Sequence, residues 1–264
     1  PQEQAYQKSI TEYVTVGGLS VMIWDILIHL QDDYRLFLRR RTNFPTWIYL
    51  LSRWSTLLYG IVSTVFKTAP IEDCAALARV GCAVYHVTVS STALLFLLRV
   101  RAIFNRSRQI TVIFFILWLA VLGGTLTAVI SISGIHIGDT PYCVFSNVGA
   151  YISASANGSL VLFDTCVFIA ITWRLSTMHL MDRRDTSKGW KANLFGTYLP
   201  TFSKALLQDG QKYYMVAMVS NILVLVIEFV PGVPAPYRAM FLAPAIQVTN
   251  IMACRVFRHT KKRG

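Results

Sequence analysis

The stretch ITVIFFILWLAVLGGTLTAVISIS, residues 110–133, decides the fold of this chain. It carries no charged side chain, and a helix of about 20 such residues, rising 1.5 Å at each, spans the hydrocarbon core of a bilayer. A strand is excluded, because the run lacks the apolar–polar alternation of a membrane barrel and an open sheet would leave backbone groups unpaired in lipid. The stretch therefore predicts a transmembrane helix.

Six further apolar segments lie along the chain, separated by polar connectors. We place transmembrane helices at about residues 11–30, 46–66, 74–98, 110–133, 149–173, 212–230 and 236–256. The composition agrees, since the 264 residues are 54% hydrophobic and only 14% charged, which is more apolar surface than one soluble core needs. The sequence predicts an all-α integral membrane bundle of seven transmembrane helices, with residues 1–264 forming one domain.

Basic residues lie almost entirely on alternate connectors. They cluster at 35–41, 99–108, 174–212 and 255–263, after the first, third, fifth and seventh segments. The positive-inside rule assigns these clusters to the cytosol, so the amino end is predicted outside and the carboxyl end in the cytosol. The clusters also account for the formal net charge of +12. We expect membrane lipid as the partner of this charge, and no nucleic acid.

Two cysteines are predicted to lie on the outer side. Cys74 opens the third segment, and Cys143 lies in the outer connector before the fifth. An exofacial loop is an oxidising place, and a bridge there would hold the connector over the mouth of the bundle. A Cys74–Cys143 disulfide is therefore the prediction, with two unlinked thiols as the alternative.

The layout of these features resembles a G-protein-coupled receptor. The shared features are a cysteine at the outer start of helix 3, a second in the next outer loop, the basic run Arg99-Val100-Arg101 closing helix 3 and a basic tail after helix 7. Leu98 stands where that family usually has an acidic residue. The resemblance implies a receptor topology without implying coupling to a G protein.

A second resemblance lies nearer the amino end. The stretch WDILIHLQDDYR, residues 24–35, followed by Tyr49 and Arg53, is similar to the opening domain of multi-pass membrane proteins from mushroom-forming fungi. The similarity runs through about the first 100 residues. It implies an uncharacterised fungal seven-helix membrane protein and supplies no chemistry.

Ionisable residues inside the predicted helices are the main functional signal, because a charge near the bilayer centre costs at least about 2.5 to 3.5 kcal/mol. Asp25 and Arg53 lie at similar depths, about 10 Å from the cytosolic face at 1.5 Å per residue. They predict a structural pair between the first two helices.

Three other helices carry pairs of polar residues spaced by seven, which returns each pair to one face. With a residue at the outer edge of the seventh segment, these form the predicted ligand-binding set: Arg79, His86, Asn157, Asp164, Asn221, Glu228 and Arg238. Polar stripes in lipid turn inward. We therefore expect a polar cavity between helices 3, 5, 6 and 7 that opens outward.

Three interpretations of this interior remain. In the first, the polar groups only form hydrogen bonds to one another. As a receptor, the protein would hold the polar end of a small amphipathic ligand at Arg79 or Arg238, against walls drawn from Tyr85, Phe163, Tyr237 and Phe241. As a membrane enzyme resembling the seven-helix cyclases of fungal terpenoid pathways, it would use Asp164 or Glu228 as general acid, with His86 as proton partner, on a lipophilic substrate.

The receptor-like interpretation is the prediction and the enzyme the alternative. The five His are scattered without metal spacing, so no metal and no cofactor is predicted. The connector 174–212 is long, basic at its flanks and apolar within, and is a candidate surface for a cytosolic partner. The expected location is a plasma membrane or endomembrane.

Overall fold

The computed structural model describes residues 2–38, 44–136, 140–145, 150–186, 198–230, 237 and 240–263. Its long helices, in chain order, are α1 (Gln2–Leu38), α2 (Phe44–Thr68), α3 (Cys74–Ile103), α4 (Arg108–Ser131), α5 (Ala150–Thr186), α6 (Tyr198–Phe229) and α7 (Leu242–Arg263). Between α4 and α5 lie two short strands, β1 (Gly134–His136) and β2 (Cys143–Phe145). Over these residues the prediction of a mostly helical protein is confirmed.

Within the described residues, four helical segments are long and apolar enough to cross a membrane: Ser9–Arg35, Cys74–Ile103, Arg108–Ser131 and Ser155–Arg174. The apolar part of α6, Tyr213–Phe229, is shorter than these four segments. Helices α2 and α7 are not among these four, because polar residues such as Arg53 and Asn250 lower their mean hydropathy. Membrane association is thus supported by four helices, and the seven-span topology with its orientation stays a prediction.

Helix α4 has the surface expected of a helix that is surrounded by lipid. Its buried residues Phe114, Val121, Thr125 and Ala128 follow helical spacing and form one stripe against the neighbouring helices. Many of its other residues are apolar and exposed, to the extent of 79% at Ile130. An apolar face of this extent is unfavourable in water and favourable against acyl chains.

The connection from α3 to α4 is short, so the two helices are antiparallel neighbours. The backbone reverses through Asn105 and Arg106, whose φ values of 50° and 60° are in the left-handed region. The N–H of Arg106 donates to the carbonyl of Arg101 at 2.9 Å and closes the turn. At its other end, α3 begins at Asp73, whose Oδ1 accepts from the N–H of Ala76 at 2.9 Å as an N-cap.

A hairpin covers one end of the bundle. Strands β1 and β2 are antiparallel, with Gly134 opposite Phe145 and His136 opposite Cys143. The predicted disulfide between Cys74 and Cys143 is confirmed, and it ties β2 to the first residue of α3. Gly134 lies against the Cys74 carbonyl so closely that a Cβ would not fit.

We call the end of the bundle that carries this bridge the disulfide end. The opposite end, where α1, α3 and α7 finish, is the basic end. At the disulfide end, the rings of Phe66 in α2 and Phe145 in β2 stack with centroids 4.5 Å apart. Cys74 and Cys143 are buried with Phe66 in a small apolar cluster of their own.

Candidate functional site

An ion cluster at the basic end joins α1, α2 and α7. The Nη1 of Arg53 donates to Asp25 Oδ2 at 3.0 Å, and its Nη2 donates to the Asp25 carbonyl at 3.1 Å. The Nε of Arg53 lies 2.8 Å from Asp33 Oδ2. Arg53 is only 2% exposed. The structure thus brings the predicted pair together and adds a second carboxylate to it.

Tyr49 and Arg258 complete the ion cluster. The Tyr49 hydroxyl donates to Asp33 and accepts from Arg258 Nη1 at 3.0 Å. The Nη2 of Arg258 lies 3.6 Å from Asp25 Oδ1. Two carboxylates against two guanidiniums leave no net charge, which is the condition for burying such groups in an apolar medium.

Sequence reasoning did not assign three of these residues to a site: Asp33, Tyr49 and Arg258. Asp33 was assigned to a connector and Arg258 to a basic tail, yet α1 and α7 continue through both as helix. The spacing held a usable signal, since Tyr49 and Arg53 are four residues apart on one face of α2. His29 also belongs here, with Nδ1 3.3 Å from Asp25 Oδ1.

A hydrogen-bonded layer above the ion cluster joins α2, α3 and α7. The Nδ2 of Asn250 donates to Ser52 Oγ at 2.6 Å and to Thr92 Oγ1 at 3.1 Å. The two hydroxyl oxygens are 2.8 Å apart. Toward the ion cluster, the thiol of Cys254 donates to Asn250 Oδ1 at 3.5 Å. We call Asn250, Ser52 and Thr92 the middle layer.

An inner rung connects α5, α6 and α7 beside the middle layer. The Nδ2 of Asn221 donates to Asp164 Oδ2 at 2.6 Å and to Thr249 Oγ1 at 3.4 Å. Thr249 directly precedes Asn250 in α7, so neighbouring residues of this helix contribute to the inner rung and to the middle layer. Asp164 is 5% exposed. Its Oδ1 has no hydrogen-bond partner among the described residues.

A small cavity lies next to this rung, among α3, α5, α6 and α7. Thr92, Asp164, Asn221 and Thr249 form its polar lining, and the remaining lining is apolar: Val89, Ala93, Phe96, Leu160 and Ile246. Its volume of about 10 Å³ has room for about one water molecule. The cavity brings the inner rung and the middle layer to a common space.

An outer rung lies toward the disulfide end. The Nδ2 of Asn157 donates to Glu228 Oε2 at 2.6 Å, and both side chains are half-buried. The polar residues spaced by seven on α5 and α6 therefore face each other. Because the two helices are antiparallel, the first residue of the α5 pair contacts the second of the α6 pair, and the second contacts the first. The two rungs are separated by seven residues, about 10 Å at 1.5 Å each.

The outer rung, inner rung, middle layer and ion cluster together form what we call the polar column. It extends from the disulfide half of the bundle to the basic end. Helix α7 contributes to three of its four parts, through Thr249, Asn250 and Arg258. The column is the candidate functional site, because its four parts contain interior polar side chains from α1, α2, α3, α5, α6 and α7.

The predicted contribution of α3 differs in the structure. Arg79 is exposed, and its Nε donates to the Ala75 carbonyl of its own helix at 3.3 Å. His86 faces α4, with Nδ1 2.7 Å from Thr125 Oγ1. Arg79 lies five residues from the start of α3, a position from which its side chain can reach the membrane interface and avoid the hydrocarbon core. Helix α3 contributes to the column through Thr92 instead. Arg238, the remaining residue of the predicted set, lies outside the described residues.

The predicted aromatic walls also divide. Tyr85 is buried with its ring centroid 5.8 Å from that of Tyr59. Phe163 is fully buried but packs edge-on against Phe114 of α4, away from the column. Tyr237 is half-buried and Phe241 is 38% exposed.

Comparison with protein families finds a similarity near the amino end of the chain. Residues 13–58 match a family described as a family of unknown function (DUF6533). This confirms the predicted likeness of the opening part of the chain to an uncharacterised family, while the fungal source stays a prediction. No curated protein matches the sequence. The matched stretch contains Asp25, Asp33, Tyr49 and Arg53, so it supplies most of the ion cluster.

Proposed function

We propose that this protein is a receptor-like membrane protein that binds a small amphipathic ligand near the outer rung. Binding would change the packing of α5 and α6 against the rest of the bundle. The observation that carries this proposal is the polar column, which has a half-buried carboxylate, Glu228, toward the disulfide end and the ion cluster at the basic end.

The outer rung indicates the charge of the ligand. Glu228 is half-buried, and within the described part of the chain no cation lies in ion-pair contact with it. Arg79, the predicted anchor for an anion, points away to the surface. A carboxylate without a counter-charge favours an ammonium group. The ligand class is therefore a small amphipathic cation whose apolar body packs near Tyr85.

The strengths of the contacts decide which helices move. The rungs between α5 and α6 are hydrogen bonds to amides, each contributing about 0.5 to 3 kcal/mol. Breaking a buried pair such as Arg53–Asp25 costs about 3 to 5 kcal/mol. Helices α1, α2 and α7 are thus the fixed part of the bundle. The hydrogen bond of 3.4 Å between Asn221 and Thr249, the longer of the two that Asn221 donates in the inner rung, lies where the movable part meets the fixed part.

The proposed orientation puts the disulfide end outside and the basic end in the cytosol, as the basic clusters predict. A cytosolic partner would then meet the connector 174–212. That surface is proposed from its sequence, because residues 187–197 lie outside the described part of the chain.

The test compares octylamine with its uncharged counterpart N-octylacetamide as ligands of the detergent-purified protein. The expected result is a higher free energy of unfolding with octylamine, about 2.7 kcal/mol at one hundred times Kd, and no such gain with the amide. Glu228→Gln should abolish the gain. Glu72→Gln, which alters an exposed acidic residue at the disulfide end, is the matched control and should retain it. Equal stabilisation by both compounds would contradict the proposal.

A second measurement tests the link between the two ends. Coupling between two sites is reciprocal. If octylamine binding and the contacts of the ion cluster are coupled, weakening those contacts must change the affinity for octylamine. Arg258→Met is expected to change the Kd of octylamine by about fivefold or more. Unchanged affinity would show that the column does not couple its ends.

The enzyme alternative has one supporting observation. Asp164 is buried with one carboxylate oxygen unpartnered among the described residues, next to a cavity with apolar walls. The cavity has room for about one water molecule, so a lipophilic substrate would require the helices to separate first. Loss of turnover in Asp164→Asn with substrate binding retained would favour this alternative.

A further inference from the structure

The disulfide bridge has a third potential ligand beside it. The Nδ1 of His136 lies 3.4 Å from Cys74 Sγ. His136 is also directly opposite Cys143 in the register of the hairpin. The two sulfur atoms and one ring nitrogen of His136 all lie within 4.8 Å of one another. Three different segments, the start of α3, β1 and β2, therefore bring two soft donors and one imidazole to one point.

The proton of His136 is placed away from the sulfur atoms. Its Nε2 lies 3.1 Å from the Glu72 carbonyl, which can only accept a hydrogen bond, so Nε2 carries the proton of the neutral ring. The lone pair of Nδ1 then points toward Cys74. A backbone carbonyl on the far nitrogen is the usual support of a metal-binding histidine, because it sets the tautomer and the ring orientation.

We propose that reduction of the Cys74–Cys143 bridge converts this cluster into a Zn²⁺ site with Cys74, Cys143 and His136 as ligands. A dithiol reduces the bridge to two thiols and is itself oxidised to a cyclic disulfide; a phosphine does the same with one water molecule and becomes the phosphine oxide. Zn²⁺ then replaces the two thiol protons, which pass to water, and binds Nδ1 of His136. A water molecule takes the fourth position.

The distances suit a tetrahedral site. Bond lengths of about 2.3 Å to sulfur and about 2.0 Å to nitrogen put a sulfur and a nitrogen ligand about 3.5 Å apart. The contact between His136 and Cys74 is already 3.4 Å. The sulfurs need to separate only to about 3.8 Å, which rotation of the cysteine side chains allows. His136 is exposed and gives the ion access, while both cysteines are buried.

The consequence is a clamp that works in two redox states. In the oxidised protein the covalent bridge holds β2 to α3. In the reduced protein a bound Zn²⁺ would hold the same two segments and add β1 through His136. The connector between α4 and α5 would then keep its position over the disulfide end under reducing conditions.

The experiment measures Zn²⁺ binding to the full-length protein in detergent, by competition with a chromogenic chelator. Protein reduced with a phosphine and freed of it should bind one Zn²⁺ more than oxidised protein. His136→Ala should weaken this binding about tenfold or more. His259→Ala, at the basic end, should leave it unchanged. The double variant Cys74→Ser with Cys143→Ser keeps the free cysteines Cys82, Cys166 and Cys254 and measures their background.

The helix content of each sample is checked by circular dichroism before the titration. If the reduced protein keeps its helices and binds no more Zn²⁺ than the double serine variant, the proposal is wrong. If reduction unfolds the protein, the titration uses the variant Cys143→His without reduction. This variant cannot form the bridge and retains three potential ligands. Binding by Cys143→His that is lost on adding His136→Ala supports the site, and absence of binding overturns it.

Discussion

Replacing Arg53 by methionine should be among the most destabilising single changes in this protein. Methionine has a similar length without the charge, so packing is largely retained. The change leaves Asp25 and Asp33, whose side chains are 8% and 12% exposed, with Arg258 as the nearest cation at 3.6 Å from Asp25. Removing one partner of a buried ion pair costs about 3 to 5 kcal/mol, and we expect a loss in this range.

The assay is reversible unfolding in mixed micelles with increasing dodecyl sulfate, followed by circular dichroism. Arg101→Met is the matched control, because Arg101 is an exposed arginine at the same end of the bundle. Its effect should stay within about 0.5 kcal/mol. A loss for Arg53→Met no larger than that of the control would refute the reasoning.

A double-mutant cycle isolates the pair itself. Asp25→Asn removes the carboxylate that Arg53→Met leaves unpaired, so the double variant should be less destabilised than the sum of the single variants. The expected difference is about 1 to 3 kcal/mol. Effects that add to within about 0.5 kcal/mol would mean that Asp25 and Arg53 act independently, contrary to the contact at 3.0 Å.

Three further predictions concern other parts of the bundle. Cys143→Ser opens a loop of 69 residues and should lower the free energy of unfolding by up to about 4 kcal/mol, measured against the oxidised protein in the same micelles. Burial lowers the pKa of Lys67 from 10.5 to about 8, so the unfolded chain binds more protons between these values. Thermal stability should therefore rise with pH across that window, and Lys67→Met should flatten the rise. Gln247 is 1% exposed with neither amide atom hydrogen-bonded among the described residues, so Gln247→Met should stabilise by about 1 to 3 kcal/mol, and a lower melting temperature would contradict this.

Much of the architecture could be predicted because lipid acts on short stretches of sequence. Residues 110–133 indicated a membrane helix by length and composition alone, and α4 covers nearly the same residues. The Cys74–Cys143 bridge was predictable because both cysteines fall at one end of adjacent segments. Helices α2 and α7 were harder to assign, since the polar residues that they contribute to the interior lower their apolar character.

The site was only partly predictable. The residues that the seven-residue spacing marked on α5 and α6 contact each other in the structure, whereas Arg79 and His86, marked by the same spacing on α3, lie elsewhere. Spacing shows that two residues share a face. It does not show which neighbour that face meets, because this depends on the rotation of the helix within the bundle.

The sequence by itself determined which segments avoid water and where basic residues collect, because the thickness and polarity of a bilayer act on about 20 consecutive residues at a time. The tertiary structure decided the partners: Arg258 beside Tyr49 across 209 residues, Asn221 opposite Asp164, and His136 against Cys74. These contacts depend on how helices rotate and pack against each other. Packing sums many weak interactions from distant parts of the chain, so no single stretch of sequence contains it.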